Sequence, residues 1–203
     1  MFLKSLFANK SFIRQGLFLA FLSSVAFTAL NASELKECKS EEDKKTGCIE
    51  KDYYRNGNLK IETPFKNGKL EGIAKSYYES GNLELEAPFK NGVFEGVGKV
   101  YHQNGNLKSE ATFKNGMIEG IQKNYYENGN ILSEIPFMND KVHGSVKFYS
   151  KKLIWQANAQ NGKLINGKCT NGKTLTNAHL ARINKDINEG YSGGLSWLEV
   201  CED

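Results

Sequence analysis

Histidine, proline and tryptophan are scarce in these 203 residues, with three, three and two copies. The histidines, His102, His143 and His179, are scattered and none has a nucleophile motif beside it, so no Ser–His or Cys–His arrangement is legible. Glu62, Glu86, Glu110 and Glu134 could supply an acid and a base, but they recur at one fixed spacing, each matched by a lysine, as structural residues do. No glycine-rich loop between a strand and a helix offers a phosphate cradle. Catalytic residues, metal ligands and cofactors are therefore not expected. A basic surplus is missing too. The formal charge is +4, yet residues 1–32 hold Lys4, Lys10 and Arg14 without an acid, leaving 24 bases against 23 acids. That balance argues against nucleic acid and anionic membrane as partners. The longest apolar run, Gly16 to Leu30, has fifteen residues, short of the roughly 20 of a spanning helix.

What surrounds that run is informative. Residues 1–15 are polar and basic, and Asn31, Ala32, Ser33 and Glu34 follow the run. The three parts form a secretory signal over 1–32, with Ala32 its last residue. Ser23, Ser24 and Thr28 dilute the run, which favours cleavage over an uncleaved anchor. Cys38 follows Leu35, Lys36 and Glu37, which do not make a lipoprotein box. The periplasm or the exterior is the expected location. All four cysteines lie beyond the signal, and an even number in an exported chain reads as two disulfides. Of the three connectivities, the local one, Cys38 with Cys48 and Cys169 with Cys201, brackets the two ends of the region described next. Zinc held by four thiolates is expected to show close CxxC pairs, and these spacings are ten and thirty-two.

Self-similarity dominates the rest. Residues 53–76 (YYRNGNLKIETPFKNGKLEGIAKS), 77–100 (YYESGNLELEAPFKNGVFEGVGKV), 101–124 (YHQNGNLKSEATFKNGMIEGIQKN) and 125–148 (YYENGNILSEIPFMNDKVHGSVKF) align without a gap. Cys48–Asp52 is the tail of an earlier copy, and 149–167 is a shortened fifth. The chain divides into a signal (1–32), an N-terminal cap with a partial repeat (33–52), the repeats (53–167) and a C-terminal cap (168–203). Asn56-Gly57 and Asn67-Gly68 both suit type I′ turns, where Asn and Gly tolerate positive φ, so each repeat is a pair of strands. Leu59, Ile61, Thr63 and Phe65 alternate with Lys60, Glu62, Pro64 and Lys66, and the pattern recurs from Leu83 and Ile131, giving one apolar and one charged face. A two-residue loop at Ser80-Gly81 sets Tyr78 opposite Leu83 and Lys75 opposite Glu86. It likewise sets Lys51, Lys99 and Lys123 opposite Glu62, Glu110 and Glu134. Nine-residue strands between two such turns break hydrogen-bonding parity, so each repeat needs a bulge, expected at Pro64, Pro88 and Pro136. Gly72, Gly96, Gly120 and Gly144 imply a close approach, expected to be a Phe or Tyr ring.

The recurring YYxNGN, alternating strand, PFKNG and EG resemble the bacterial MORN-variant repeats from Cys48 to about Gly167. The resemblance implies an elongated single-layer antiparallel β-meander without catalytic residues. One branch of that family is labelled as antitoxins, which implies a cytoplasmic toxin as partner; MORN repeats at large imply protein scaffolding or association with membrane lipid.

The fold class expected is all-β, a meander of 24-residue hairpin repeats with a short C-terminal capping helix. That helix runs from Thr176 as N-cap to Asn188, stopped by Gly190, with Leu180, Ile183 and Ile187 on its apolar stripe and Leu175 as a staple. Leu195–Cys201 reads as a closing strand with Trp197 or Leu198 turned inward. On the Lys/Glu face, Tyr53, Tyr77, Tyr101 and Tyr125 form a row one repeat apart. Exposed aromatics mark contact surfaces, so this row is the candidate binding site, for an unidentified protein partner first and a glycan chain second.

Overall fold

A computed structural model describes residues 35–150, 152–190, 197 and 199–201. The secretory signal lies outside the described residues, as does Leu198. A short helix, α1 (Glu41–Thr46), precedes β1 (Cys48–Tyr53). Each copy then supplies a long, a two-residue and a middle-length strand. These are β2 (Leu59–Lys66), β3 (Lys69–Leu70) and β4 (Gly72–Tyr77), then β5 (Leu83–Lys90), β6 (Val93–Phe94) and β7 (Gly96–Tyr101). The next two copies give β8 (Leu107–Lys114), β9 (Met117–Ile118), β10 (Gly120–Tyr125), β11 (Ile131–Met138), β12 (Lys141–Val142) and β13 (Gly144–Ser150). β14 (Lys152–Gln160), β15 (Lys163–Cys169) and helix α2 (Asn177–Asn188) follow. One antiparallel sheet takes the long and middle strands in chain order, and the two-residue strands fold back on the long strands beside them. The repeat is thus three strands, not two.

The two turns of each copy differ. Asn67 and Gly68, like Asn91-Gly92 and Asn115-Gly116, both have positive φ, the two-residue type I′ geometry. At the other turn only Gly57 has positive φ. There Gly57 N–H donates to Tyr54 O and Tyr54 N–H to Asn58 O, closing a three-residue loop in place of the expected type I′ turn. The bulge also moves. Lys75 faces Glu86 and Ser76 faces Leu85, but Tyr77 faces Leu83, so Glu84 is the extra residue and Tyr78 does not oppose Leu83. The same slip falls between Asp52 and Tyr53, Val100 and Tyr101, and Asn124 and Tyr125. It lies at the tyrosine end, not at the prolines. A slip of one residue exchanges faces. Leu59, Leu83, Leu107 and Ile131 therefore share the tyrosine face, and Glu84 turns inward, where Ser76 Oγ donates to it at 3.0 Å.

The short strand folds back at the proline position whether or not a proline is there: Pro64 O, Pro88 O and Pro136 O accept from the N–H of Glu71, Glu95 and His143, and Thr112 O accepts from Glu119 N–H in the third copy. The glycine that follows has φ of +112, +115 and +108 at Gly72, Gly96 and Gly144, and a Cβ there would stand 3.2–3.3 Å from the ring of the same copy's proline. The neighbour is a proline ring, not an aromatic one. In the third copy Thr112 replaces proline, and a Cβ on Gly120 meets nothing within 4 Å.

Successive copies are tied through the main chain. Gly92, Gly116 and Gly162 N–H donate to Leu70, Phe94 and Val142 O of the preceding copy. For the first copy, α1 stands in: Lys45 O and Lys44 O accept from Asn67 and Gly68 N–H at 2.9 and 3.0 Å. The negative end of a helix is suited to that role. Edge strands invite further pairing, and both are blunted. Ile49 of β1 exchanges hydrogen bonds with Lys36 O and Cys38 N–H. On β15, Gly167 O accepts from Leu175 N–H, and both main-chain groups of Leu164 bond the Asn184 side chain. Disulfides join Cys38 to Cys48 and Cys169 to Cys201, the local connectivity.

The inner face holds the core. Phe89, Phe94 and Phe113 lie ring to ring, and Phe148, Trp155 and Trp197 form a second aromatic group under α2. Trp197 is fully buried, its indole N–H on Asp186 at 2.7 Å. Helix α2 has Thr176 as N-cap, with Leu180, Ile183 and Ile187 buried. The expected closing strand is absent among the described residues: Glu199–Cys201 is a 3-10 turn. Between the two aromatic groups the inner face carries a polar cluster beside Ile118, Ile135 and Phe137. Gln122 donates to Asn124 and Asn124 to Ser133, all three buried. Ser109 Oγ beside them has no partner among the described residues.

Candidate binding surface

The outer face is built from three rows that run across the strands. The middle row reads Lys51, Glu62, Lys75, Glu86, Lys99, Glu110, Lys123, Glu134 and Lys147 on successive strands. The four Lys/Glu facings read from the turns are all present. Facing is not bonding, however: of these four, only Lys51 and Glu62 close to an ion pair, at 3.7 Å. Lys147 reaches Glu134 from the other side at 3.2 Å.

The glutamates are engaged by tyrosines instead. Tyr77, Tyr101, Tyr125 and Tyr149 donate to Glu62, Glu86, Glu110 and Glu134 of the preceding copy at 2.8–2.9 Å. Tyr53 has no equivalent glutamate on an earlier strand among the described residues and is 49% exposed. The candidate tyrosines thus stand in one row, Tyr77, Tyr101 and Tyr125 half-buried, with their hydroxyls turned along the sheet and their rings beside Leu59, Leu83, Leu107 and Ile131. Burial, and then the hydrogen bonds to Glu86, Glu110 and Glu134, push Tyr101, Tyr125 and Tyr149 up to about 12, and Tyr77 is raised in the same way. Tyr77, Tyr101, Tyr125 and Tyr149 are therefore neutral and donate these hydrogen bonds at any physiological pH. Burial opposes the charge on Glu134, but the bonds from Tyr149 and Lys147 prevail and hold it below the ordinary carboxylate range.

The second tyrosine of each copy holds the array together. Tyr54, Tyr78 and Tyr126 donate to the carbonyls of Tyr77, Tyr101 and Tyr149 at 2.6–2.9 Å. In the third copy His102 Nε2 meets Tyr125 O at 3.0 Å, so this histidine does a tyrosine's work. His179 closes the capping box of α2 with Thr176, and His143 replaces a glutamate that in earlier copies bonds the next turn, as Glu71 does Asn91 N–H.

The third row went unread in the sequence. The residue after each EG, Ile73, Val97 and Ile121, faces outward and is 44–52% exposed, across from Pro88, Thr112 and Pro136. A single outward position per copy leaves no alternation to find; only its recurrence every 24 residues could have signalled it.

Residues 49–67, 70–91, 94–115 and 118–139 match the MORN repeat variant family. The chain carries four tandem MORN-variant repeats. No curated protein matches the chain. MORN repeats mark a protein-binding repeat protein, and their all-β fold is not that of a known enzyme class. The two disulfides of this MORN-variant chain are compatible with an oxidising location.

Proposed function

We propose that the protein is exported through its first 32 residues and works in the periplasm or outside the cell as a non-enzymatic scaffold that holds a protein partner on its outer face. The observation that carries this reading is which surface is left over. Among the described residues the inner face is buried, both sheet edges are blunted, and the outer face keeps an aliphatic row exposed and a tyrosine row half-exposed. Exposed apolar rows framing a polar centre are the composition of a protein contact surface. Tyr53, Tyr77, Tyr101 and Tyr125 form one side of that surface. Two disulfides suit an exported chain, because thiols in the cytoplasm are kept reduced.

The test is recovery of partner on a C-terminally tagged chain cross-linked in intact cells. Tyr77→Ala, Tyr101→Ala and Tyr125→Ala together are expected to lower recovery about tenfold or more, as loss of aromatic anchors does. Unchanged recovery from a variant that keeps its wild-type circular dichroism would remove the tyrosine row from the proposal.

A further inference from the structure

Eight large apolar side chains are exposed among the described residues, and six of them, Ile73, Val93, Val97, Met117, Ile121 and Met138, lie toward the type I′ turns on the outer face. The register shows how each copy builds its share. Ile73 faces Pro88, and two residues on Lys90 faces Val93; Val97 faces Thr112, and Lys114 faces Met117; Ile121 faces Pro136, and Met138 faces Lys141. Lys69, Lys90, Lys114 and Lys141 make no ion pair among the described residues. Their cationic heads are thus available beside an aliphatic strip.

We propose that this strip binds an acidic segment of a partner protein in the polyproline II conformation, a proposal that rests on the protein-binding reading above. Successive copies are two strand spacings apart, about 9.6 Å. A polyproline II chain brings the same face round every three residues, about 9.3 Å. An apolar side chain at every third position of the segment therefore meets Ile73, Val97 and Ile121 in turn, and the acids between reach Lys90 and Lys114. A β-strand returns to the same face every two residues, about 6.6 Å, and falls out of step within one copy. An anionic membrane fits less well. The strip has no Trp or Tyr of the kind that anchors at a lipid interface.

The probe is a fluorescein-labelled peptide of four Pro-Leu-Glu units, titrated by anisotropy against the full disulfide-bonded chain. Saturable binding that weakens with added salt is expected, with no binding of the Pro-Leu-Lys counterpart. Lys90→Glu with Lys114→Glu should weaken it about tenfold and Val97→Ser about threefold, with circular dichroism unchanged because all three side chains are at the surface. No binding of the acidic peptide, equal binding of the two peptides, or indifference to these substitutions overturns the proposal. So does lysine-dependent capture on phosphatidylglycerol vesicles in place of the peptide. Cellular cross-linking separates the two readings: a partner still held by the Lys90→Glu, Lys114→Glu chain overturns the strip alone, and no partner on the wild-type chain overturns the scaffold reading.

Discussion

Gly96→Ala and Gly120→Ala add the same methyl group at equivalent positions of adjacent copies, and their costs should differ. At both, φ is positive, +115 and +85, a region that disfavours an L side chain by about 1–2 kcal/mol. Replacing glycine also narrows the unfolded ensemble, which returns about 0.4–1 kcal/mol. The difference lies in what the methyl meets. At Gly96 it would stand 3.2 Å from Cγ and 3.4 Å from Cβ of Pro88. A pyrrolidine ring cannot rotate away, so overpacking adds about 1–3 kcal/mol. At Gly120 the space is open. The expected losses are about 1 kcal/mol for Gly120→Ala and about 2–3 kcal/mol for Gly96→Ala. Pro88→Thr gives the second copy the residue of the third and should relieve the clash, for a coupling of about 1 kcal/mol or more in a double-mutant cycle. Urea unfolding followed by circular dichroism reads the wild type and the four variants, with unchanged m-values as the check on cooperativity. Equal costs at the two glycines, or a coupling near zero, would refute the contact between glycine and proline ring.

Alkali should act through the tyrosine row. Tyr101, Tyr125 and Tyr149 titrate at about 12 in the fold against about 10 unfolded. The unfolded chain then releases its protons first, and the stability these groups contribute, intact below pH 10, is lost as pH rises through 12. A late tyrosinate absorbance class that appears with loss of sheet signal is expected; one transition near pH 10 would contradict it. Cys169→Ser with Cys201→Ser opens a loop of 32 residues and should cost about 3–4 kcal/mol in the chain-entropy model. Hydrogen exchange should accelerate first at the Trp155 indole, whose N–H bonds Trp197 O, and protection lost first between residues 53 and 148 would count against the cap. Trp197→Ala should cost about 3–5 kcal/mol, read as a fall in the urea midpoint, and a loss under 1 kcal/mol would show that the second aromatic group does not need it.

Much of this architecture was legible because a repeat amplifies weak signals. One Asn-Gly is a suggestion; the same dipeptide at Asn67, Asn91 and Asn115 fixes a turn, and matched Lys/Glu positions fix the register around it. The helix from Thr176 was legible from its cap and stripe. Three things were not. A bulge at Glu84 carries no residue-type signature, so the faces of Leu83 and its equivalents were reversed. Pro88 and Gly96 lie eight residues apart and touch only because the short strand folds back, which alternation alone does not reveal. Helix α1 has too few residues and too little apolar surface for a pattern; its Ser40 cap, its Glu41–Lys44 and Glu42–Lys45 pairs and the bonds from Asn67 and Gly68 N–H hold it. For the site, the tyrosine row was readable from spacing, whereas its bonds to glutamates of the preceding copy depend on sheet order. The aliphatic row escaped notice because it sits at single positions.

The central claim is that an exported, disulfide-tied array holds a protein partner. The most direct test is cross-linking of a C-terminally tagged chain in intact cells, with the non-reduced intact mass of the product taken from the same sample. The account predicts a mass lower by residues 1–32 and by the four hydrogens lost to two disulfides, with one envelope protein recovered in near-equal amount. A full-length, fully reduced chain recovered with a cytoplasmic toxin would contradict it.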